Sequence, residues 1–521
     1  MSKSKIKLMM SVAVLAATLI VFPSCDKKDP LVVPPEENEQ EQEHKGSSLD
    51  ISGKVMDTDG NPYEGAVVSD GTTFVKTDVF GRYEFTRSRY ASYITCSIPA
   101  DAEITMDGNH KLPQAFFQKL SSSKKVYDFT FKRIGVEKRF RIVAIGDPQV
   151  NSAKRVEVWN TKALPDLRQF YLSEEKIPTY GITAGDNVQN DNSYLNTIAE
   201  AYGQVRFPIF STIGNHDHDH GSGMITDYDR VKGYEAVFGP SNFSFNRGDV
   251  HIVIMDDIIY PDNSTDYTTG VDDAKFEWLK KDLSFVSRDK RVLLSWHAPM
   301  SSSSFKHRQD ILNLLAEFKV ANIIDGHTHN VEHDYDHIVN GKLIEESAVG
   351  STGAPFKGNF LSDGCNRCYM AYEYNGTDIS RIFCKSIGFD NNHQMRLYRT
   401  SEFGPYTTAL GYSYTFPANY CGTEWIAANV YNHKNGRWTY ELWEDGVKTS
   451  TSPVVKKSMD PWIKRVMYEN YSTESEIGAN NHMLYFKLKN PDAKEIKIVA
   501  RDSFGGVYTE DKFQSPSTKL N

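Results

Sequence analysis

Five short segments of the chain carry side chains that together could hold metal ions. They are Asp147-Pro148-Gln149, Gly185-Asp186, Gly214-Asn215-His216-Asp217, the lone His297, and Gly326-His327-Thr328-His329. A single Gly-Asp pair means little, because both residues are common in turns. These five share a setting: each closes an apolar run, at residues 140–145, 180–184, 208–213, 291–296 and 320–324. Five such endings in succession exceed what turn chemistry alone supplies. Carboxylate and amide oxygens mixed with imidazole nitrogens make a donor set for Mn, Fe, Zn or Mg. A sixth apolar run, 251–255, has no ending of comparable use.

The elements that must position these residues alternate. Between the apolar runs lie amphipathic stretches of helical length, at 156–171, 272–286 and 308–318. Strand–helix alternation from about residue 139 to 385 predicts a layered α/β domain with ligands at strand ends. Before it, residues 49–134 read as a small β-sandwich, with Asp57-Thr-Asp-Gly60 as a turn and an alternating strand up to Phe85. After it, residues 386–521 read as a β-rich module. Its strands are expected at 411–416, 424–431, 437–443 and 484–488, with Asp445-Gly446 as a hairpin turn.

The five segments, in this order, resemble the calcineurin-like metallophosphoesterases, whose pattern is D-x-H, G-D, G-N-H-(D/E), H and G-H-x-H. The resemblance implies a β-sandwich flanked by helices around two divalent metal ions. Asp147, Gln149, Asp186 and His329 would hold the first ion; Asp186, Asn215, His297 and His327 would hold the second. Asp186 is then the bridge, and His216 the non-ligand imidazole acting as general acid. Gln149 departs from the pattern, since most members have His there; an amide oxygen is harder and binds more weakly, which tilts the first ion toward Mn, Mg or Fe. Asp217 and Asp325 stand where carboxylates could orient ligand imidazoles.

Such a site implies hydrolysis of phosphate mono- or diesters of a small molecule or glycan, with a hydroxide made from water between the two cations. The rival readings are a catalytically silent surface lipoprotein that binds glycan or phosphate, and a nucleotide pyrophosphatase. Other branches fit less well. Protein Ser/Thr phosphatases carry Asp-Arg-Gly after Gly-Asp and end Gly-Asn-His with Glu. Purple acid phosphatases place a Tyr three residues after the bridging Asp, where this chain has Gln189. The flanking β modules resemble those of an exported bacterial branch, and the first is similar to Ig-like, prealbumin-type domains. That branch often carries a D-G-x-x-x-G-Y loop, matched here by Asp363 to Tyr369 with Cys368 in place of the second Gly, a candidate for substrate contact.

Smaller signals read more blandly. His218 and His220 are expected in a solvated loop beside the site, and His307, His333 and His337 as surface or packing residues. Gly350-Ser-Thr-Gly353 with Lys357 lacks the strand–loop–helix context of a P-loop and is expected to shape the pocket. Cys365-x-x-Cys368 is half a zinc knuckle without a second pair, so packed thiols or a local disulfide are expected.

Composition narrows the class. Hydrophobic residues make up 39% and charged residues 24% of the 521, an ordinary globular profile. With 59 Lys and Arg against 68 Asp and Glu the net charge is −9, which offers a nucleic-acid duplex no attraction. The first 25 residues have a basic start and an apolar run too short to span a bilayer. They resemble a lipoprotein signal cleaved before Cys25, which would carry the lipid. Residues 26–48, rich in Pro, Glu and Gln, read as a flexible leash. The chain is therefore expected to be exported, held at the outer membrane only by its N-terminal lipid.

Overall fold

Two faces of alternating side chains build the centre of the molecule. In the computed structural model, which describes residues 49–221, 223–301, 303–333, 335–354, 358–404, 414–450, 452–471 and 478–519, the strand Arg139–Ile145 points Phe140, Ile142 and Ala144 to one side. Val143 and Ile145 point to the other. This period of two lets one strand serve two cores. The five-stranded sheet to which it belongs runs Ile209–Phe210, Thr179–Thr183, Arg139–Ile145, Cys368–Asn375, Asp378–Ser386. A second sheet runs Phe243–Arg247, Val250–Ile254, Arg291–Ser295, Val320–Asp325, Lys342–Val349, Val331–Glu332, with His337–Val339 also paired to Lys342–Val349.

The inner faces of the two sheets share one core, where Ile142, Ile182, Met370 and Tyr372 meet Ile252, Leu293, Ile324 and Val349. Outside the first sheet, Val143 and Ile145 pack on Trp159, Leu164, Leu167 and Phe170 of the helical segments 153–173 and on Ile198 of Leu195–Tyr202. Outside the second, Val292, Leu294 and Ile323 pack on the helices Asp273–Ser284 and Arg308–Leu315. Helix, sheet, sheet and helix make four layers. The donors follow strands Arg139–Ile145, Thr179–Thr183, Ile209–Phe210, Arg291–Ser295 and Val320–Asp325, which run parallel to one another within each sheet, so one edge of the sandwich collects them.

The flanking regions are β-rich. Ahead of the sandwich stand a three-stranded sheet around Asp50–Asp57 and a four-stranded sheet around Val67–Ser69. They meet the sandwich through Phe116, which packs against Phe210 and Phe243. After it, Trp425–Val430 and Trp438–Glu444 each anchor a four-stranded sheet. Asp445 and Gly446, both at positive φ, turn Trp438–Glu444 into Val447–Ser450. The helix Pro461–Tyr471, which buries Trp462, Ile463, Val466 and Met467, is an addition to the strands expected there. Among the described residues no helix is long and apolar enough to cross a membrane. The leader, Cys25, the leash, Lys357 and residues 411–413 of the strand expected at 411–416 lie outside the described residues, and residues 414–416 form no strand.

Candidate metal centre

The strand ends turn sharply before delivering their side chains. Asp147, Gln149, Asp186, His327 and His329 all hold positive φ, between 42° and 63°. A non-glycine residue in that region is disfavoured by roughly 1–3 kcal/mol, and such strain gathers where side-chain placement matters more than turn chemistry. The glycines beside them make room. A Cβ on Gly214 would stand 2.3 Å from Asp186 Oδ1, and one on Gly326 2.7 Å from Asp147 Oδ2.

The seven candidate ligands converge. Two groups of donor atoms form, Asp186 with His297 and His327, and Asp147 with Asp186 and His329, each with its atoms within 4.8 Å of one another. Asp186 belongs to both. In the first, Asn215 Oδ1 lies 3.0 Å from His297 Nε2 and 3.1 Å from His327 Nδ1, and His297 Nε2 is 3.3 Å from Asp186 Oδ1. In the second, His329 Nε2 is 3.5 Å from Asp147 Oδ1, while Asp147 Oδ2 is buried without a hydrogen-bond partner among the described residues. Oxygen and imidazole donors crowded together, with a buried carboxylate oxygen unmatched, fit divalent cations.

Burial and charge contend here. Burial works against a charged His297, yet the Asp186 carboxylate, with Asp147 and Asp257 nearby, lifts it to about 10. Burial and then His297 push His327 down to about 4. His297 Nδ1 donates to the Ala184 carbonyl at 2.7 Å, which turns Nε2 toward the centre.

Gln149 departs from its expected pose. Its amide nitrogen, not its oxygen, faces the centre, 2.8 Å from Asp186 Oδ2 and 3.1 Å from His329 Nε2. Holding an ion would use the amide oxygen instead.

His216 belongs to neither donor group. Its backbone N–H donates to Asp186 Oδ1 at 2.9 Å, and its Nδ1 lies 2.7 Å from Asn190 Oδ1. Nε2 is 3.9 Å from Asp186 Oδ2 on a ring that is 28% exposed.

Several expectations about the surroundings need correction. Asp217 orients no imidazole: it accepts from Val188 N–H at 2.8 Å, and from Asn187 Nδ2 and Gly214 N–H at 2.9 Å, stapling two donor loops together. Asp325 lies beside Glu346, and burial together with that neighbour pushes its carboxyl well above the usual range. His218 is not in solvent: it is buried between the Gly214 carbonyl, 2.9 Å from Nδ1, and Asp256, 3.5 Å from Nε2. His220 is exposed, as expected, and places Nε2 3.1 Å from the Asn215 carbonyl. Of the remaining imidazoles, His333 and His337 are buried against Ser347 and Glu346, while partly exposed His307 bridges Asp273 and Asp310. In Gly350–Gly353, Ser351 Oγ donates to the Asp147 carbonyl and Thr352 Oγ1 to the Gly146 carbonyl, so these hydroxyls brace the first donor loop.

One participant escaped sequence reasoning. After strand Val250–Ile254, Asp257 accepts from the backbone N–H of His297 at 3.0 Å and of Ala298 at 2.8 Å. The run judged to lack a useful ending thus positions His297. The available signal was Asp256-Asp257 itself, closing an apolar run like the others.

Comparison with known proteins agrees with this geometry. Residues 140–331 match the family model of the calcineurin-like phosphoesterases, residues 49–134 that of their N-terminal region, and residues 346–508 that of their C-terminal region. No curated protein matches the chain. Among solved structures, a purple acid phosphatase from yellow lupin shares 16% identity over 46% of this chain at a TM-score of 0.33, and the match spans half of that enzyme's length. Vps29 from Chaetomium thermophilum shares 13% identity over 47% of this chain and 96% of its own, with a TM-score of 0.21.

Proposed function

Because the chain belongs to the calcineurin-like phosphoesterase family, whose members are metal-dependent hydrolases of phosphoric esters, we propose that it hydrolyses phosphate mono- or diesters of a small molecule or glycan at a two-metal centre. The observation that carries this reading is the sharing of Asp186 between two donor groups. Only a carboxylate offers two anionic oxygens to span ions about 3.5–4 Å apart.

Asp147, Gln149, Asp186 and His329 would hold one ion, and Asp186, Asn215, His297 and His327 the other. Bound there, the ions supply Lewis acidity and a nucleophile drawn from water at neutral pH. The chain's own groups do the rest. Asp257 and the Ala184 carbonyl set the ring of His297. Asn190 holds Nδ1 of His216, leaving Nε2 to carry the proton that passes to the leaving oxygen. Export and acylation at Cys25 belong to the same proposal and rest on the leader sequence. Labelling of the chain by palmitate that is lost in Cys25→Ser would support them.

The test is hydrolysis of p-nitrophenyl phosphate and bis-p-nitrophenyl phosphate, in added Mn²⁺, by residues 26–521. Activity should vanish in Asp186→Ala, and the faster ester identifies a monoesterase or diesterase. His216→Ala should slow turnover by about 10²–10⁴-fold with metal content unchanged. Loss of metal in that variant would remove His216 from the role of acid. Inactivity on both esters by metal-loaded protein would speak against the proposal.

A further inference from the structure

A second group of metal-type donors lies away from the cleft, between the sandwich and the C-terminal sheets. Asp363 and Cys365 sit in the loop before strand Cys368–Asn375, and His482 immediately precedes strand Met483–Lys487. All three are buried, at 2%, 0% and 4% exposure. One donor atom from each lies within 4.8 Å of the others.

The hydrogen bonds around His482 decide which of its nitrogens is available. Asp460 can only accept, so Asn429 must turn its amide nitrogen toward Asp460 Oδ2, at 2.9 Å. Its oxygen then faces His482 Nδ1 at 2.7 Å and takes that nitrogen's proton. His482 Nε2 is left with a lone pair, 3.5 Å from Asp363 Oδ2 and 4.0 Å from Cys365 Sγ. The carboxylate already accepts Val331 N–H at 2.7 Å and Cys365 N–H at 2.8 Å, one on each oxygen. An imidazole lone pair thus faces a carboxylate lone pair in a dry interior, which is costly unless something positive stands between them.

We propose that Asp363, Cys365 and His482 bind a structural zinc ion through Oδ2, Sγ and Nε2, joining the sandwich to the C-terminal domain. Usual zinc bond lengths in a tetrahedron put sulfur and nitrogen about 3.6 Å apart, and nitrogen and oxygen about 3.3 Å apart. The observed 4.0 and 3.5 Å need only a slight contraction. His482 has the outer partner that metal-bound imidazoles generally have, in Asn429. Binding releases the Cys365 thiol proton to solvent. The ion also braces the catalytic edge: Asp363 holds Val331, two residues beyond His329, and Ser362 donates to Asn330.

The cleft's donor set contains no sulfur, and this separates the two sites. The full chain, stripped and reloaded with Co²⁺, should show a near-ultraviolet thiolate-to-cobalt charge-transfer band. The band should persist in Asp186→Ala and disappear in Cys365→Ser, and zinc content should fall by about one equivalent in the latter. Should Cys365→Ser fail to fold, a chain with alanine at the other five cysteines carries the test, because a band there can come only from Cys365. Absence of the band from the wild-type chain, or equal zinc content in wild type and Cys365→Ser, would overturn the proposal.

Discussion

The two halves of the metal centre are built to different standards. On the side of His297, His297 and Asn215 are held from behind. The Ala184 carbonyl fixes the ring of His297, Asp257 fixes its backbone, and the Asn215 carbonyl is gripped by Tyr260 Oη and His220 Nε2, both at 3.1 Å. On the side of His329, the Asp147 carbonyl is likewise braced by Ser351 Oγ, but the imidazole is not. That ring is 23% exposed, and no protein group among the described residues hydrogen-bonds its Nδ1. The ring of His297 is therefore the more firmly held of the two.

The largest expected effect tests that contrast directly. His297→Ala should lower hydrolysis by more than about 100-fold. Outer supports of a metal ligand contribute about 10–100-fold in affinity or activity. A ligand without them has less to lose, so His329→Ala should fall about tenfold less far, and excess Mn²⁺ should recover it but not His297→Ala. Chelation read by metal analysis should empty the centre in two phases, the His329 side first. Equal losses in the two variants, or release in a single phase, would erase the distinction.

Asp257 gives the next effect and also shows how far the sequence could be read. Asp257→Asn places an amide N–H against one of the two backbone N–H groups now accepted, and turnover should drop about 10–100-fold with weaker binding of the ion on the His297 side. Unchanged metal affinity would make Asp257 a bystander. The donors themselves were legible because each lies within a few residues of an apolar strand, so chain order alone predicts their convergence. Asp257 was not, because two aspartates after a strand look like a turn, and their partner His297 lies 40 residues onward. His218 misled for a related reason. Local polarity predicts solvent, whereas Asp256 and Tyr260 arrive from another segment to enclose it. Cys365 and His482 are 117 residues apart in different sheets, and no spacing rule joins them. Alternation predicted a layered α/β domain, whereas the sandwich of two sheets between helices was implied only by the family resemblance. The return of Cys368–Asn375, antiparallel, beside Arg139–Ile145 was not readable, since pairing partners leave no local mark.

The smallest effect runs in the favourable direction. Gln149→His should strengthen the weaker half. An imidazole nitrogen binds these ions more strongly than an amide oxygen. A gain of about 1.4 kcal/mol is a factor of ten, so the Mn²⁺ concentration needed for half-maximal activity should fall by about tenfold. The preference should also move toward Zn²⁺, because a borderline nitrogen replaces a hard oxygen. The early phase of chelation should then merge with the late one. An unchanged Mn²⁺ requirement would mean that the asymmetry lies in the exposure of His329 instead.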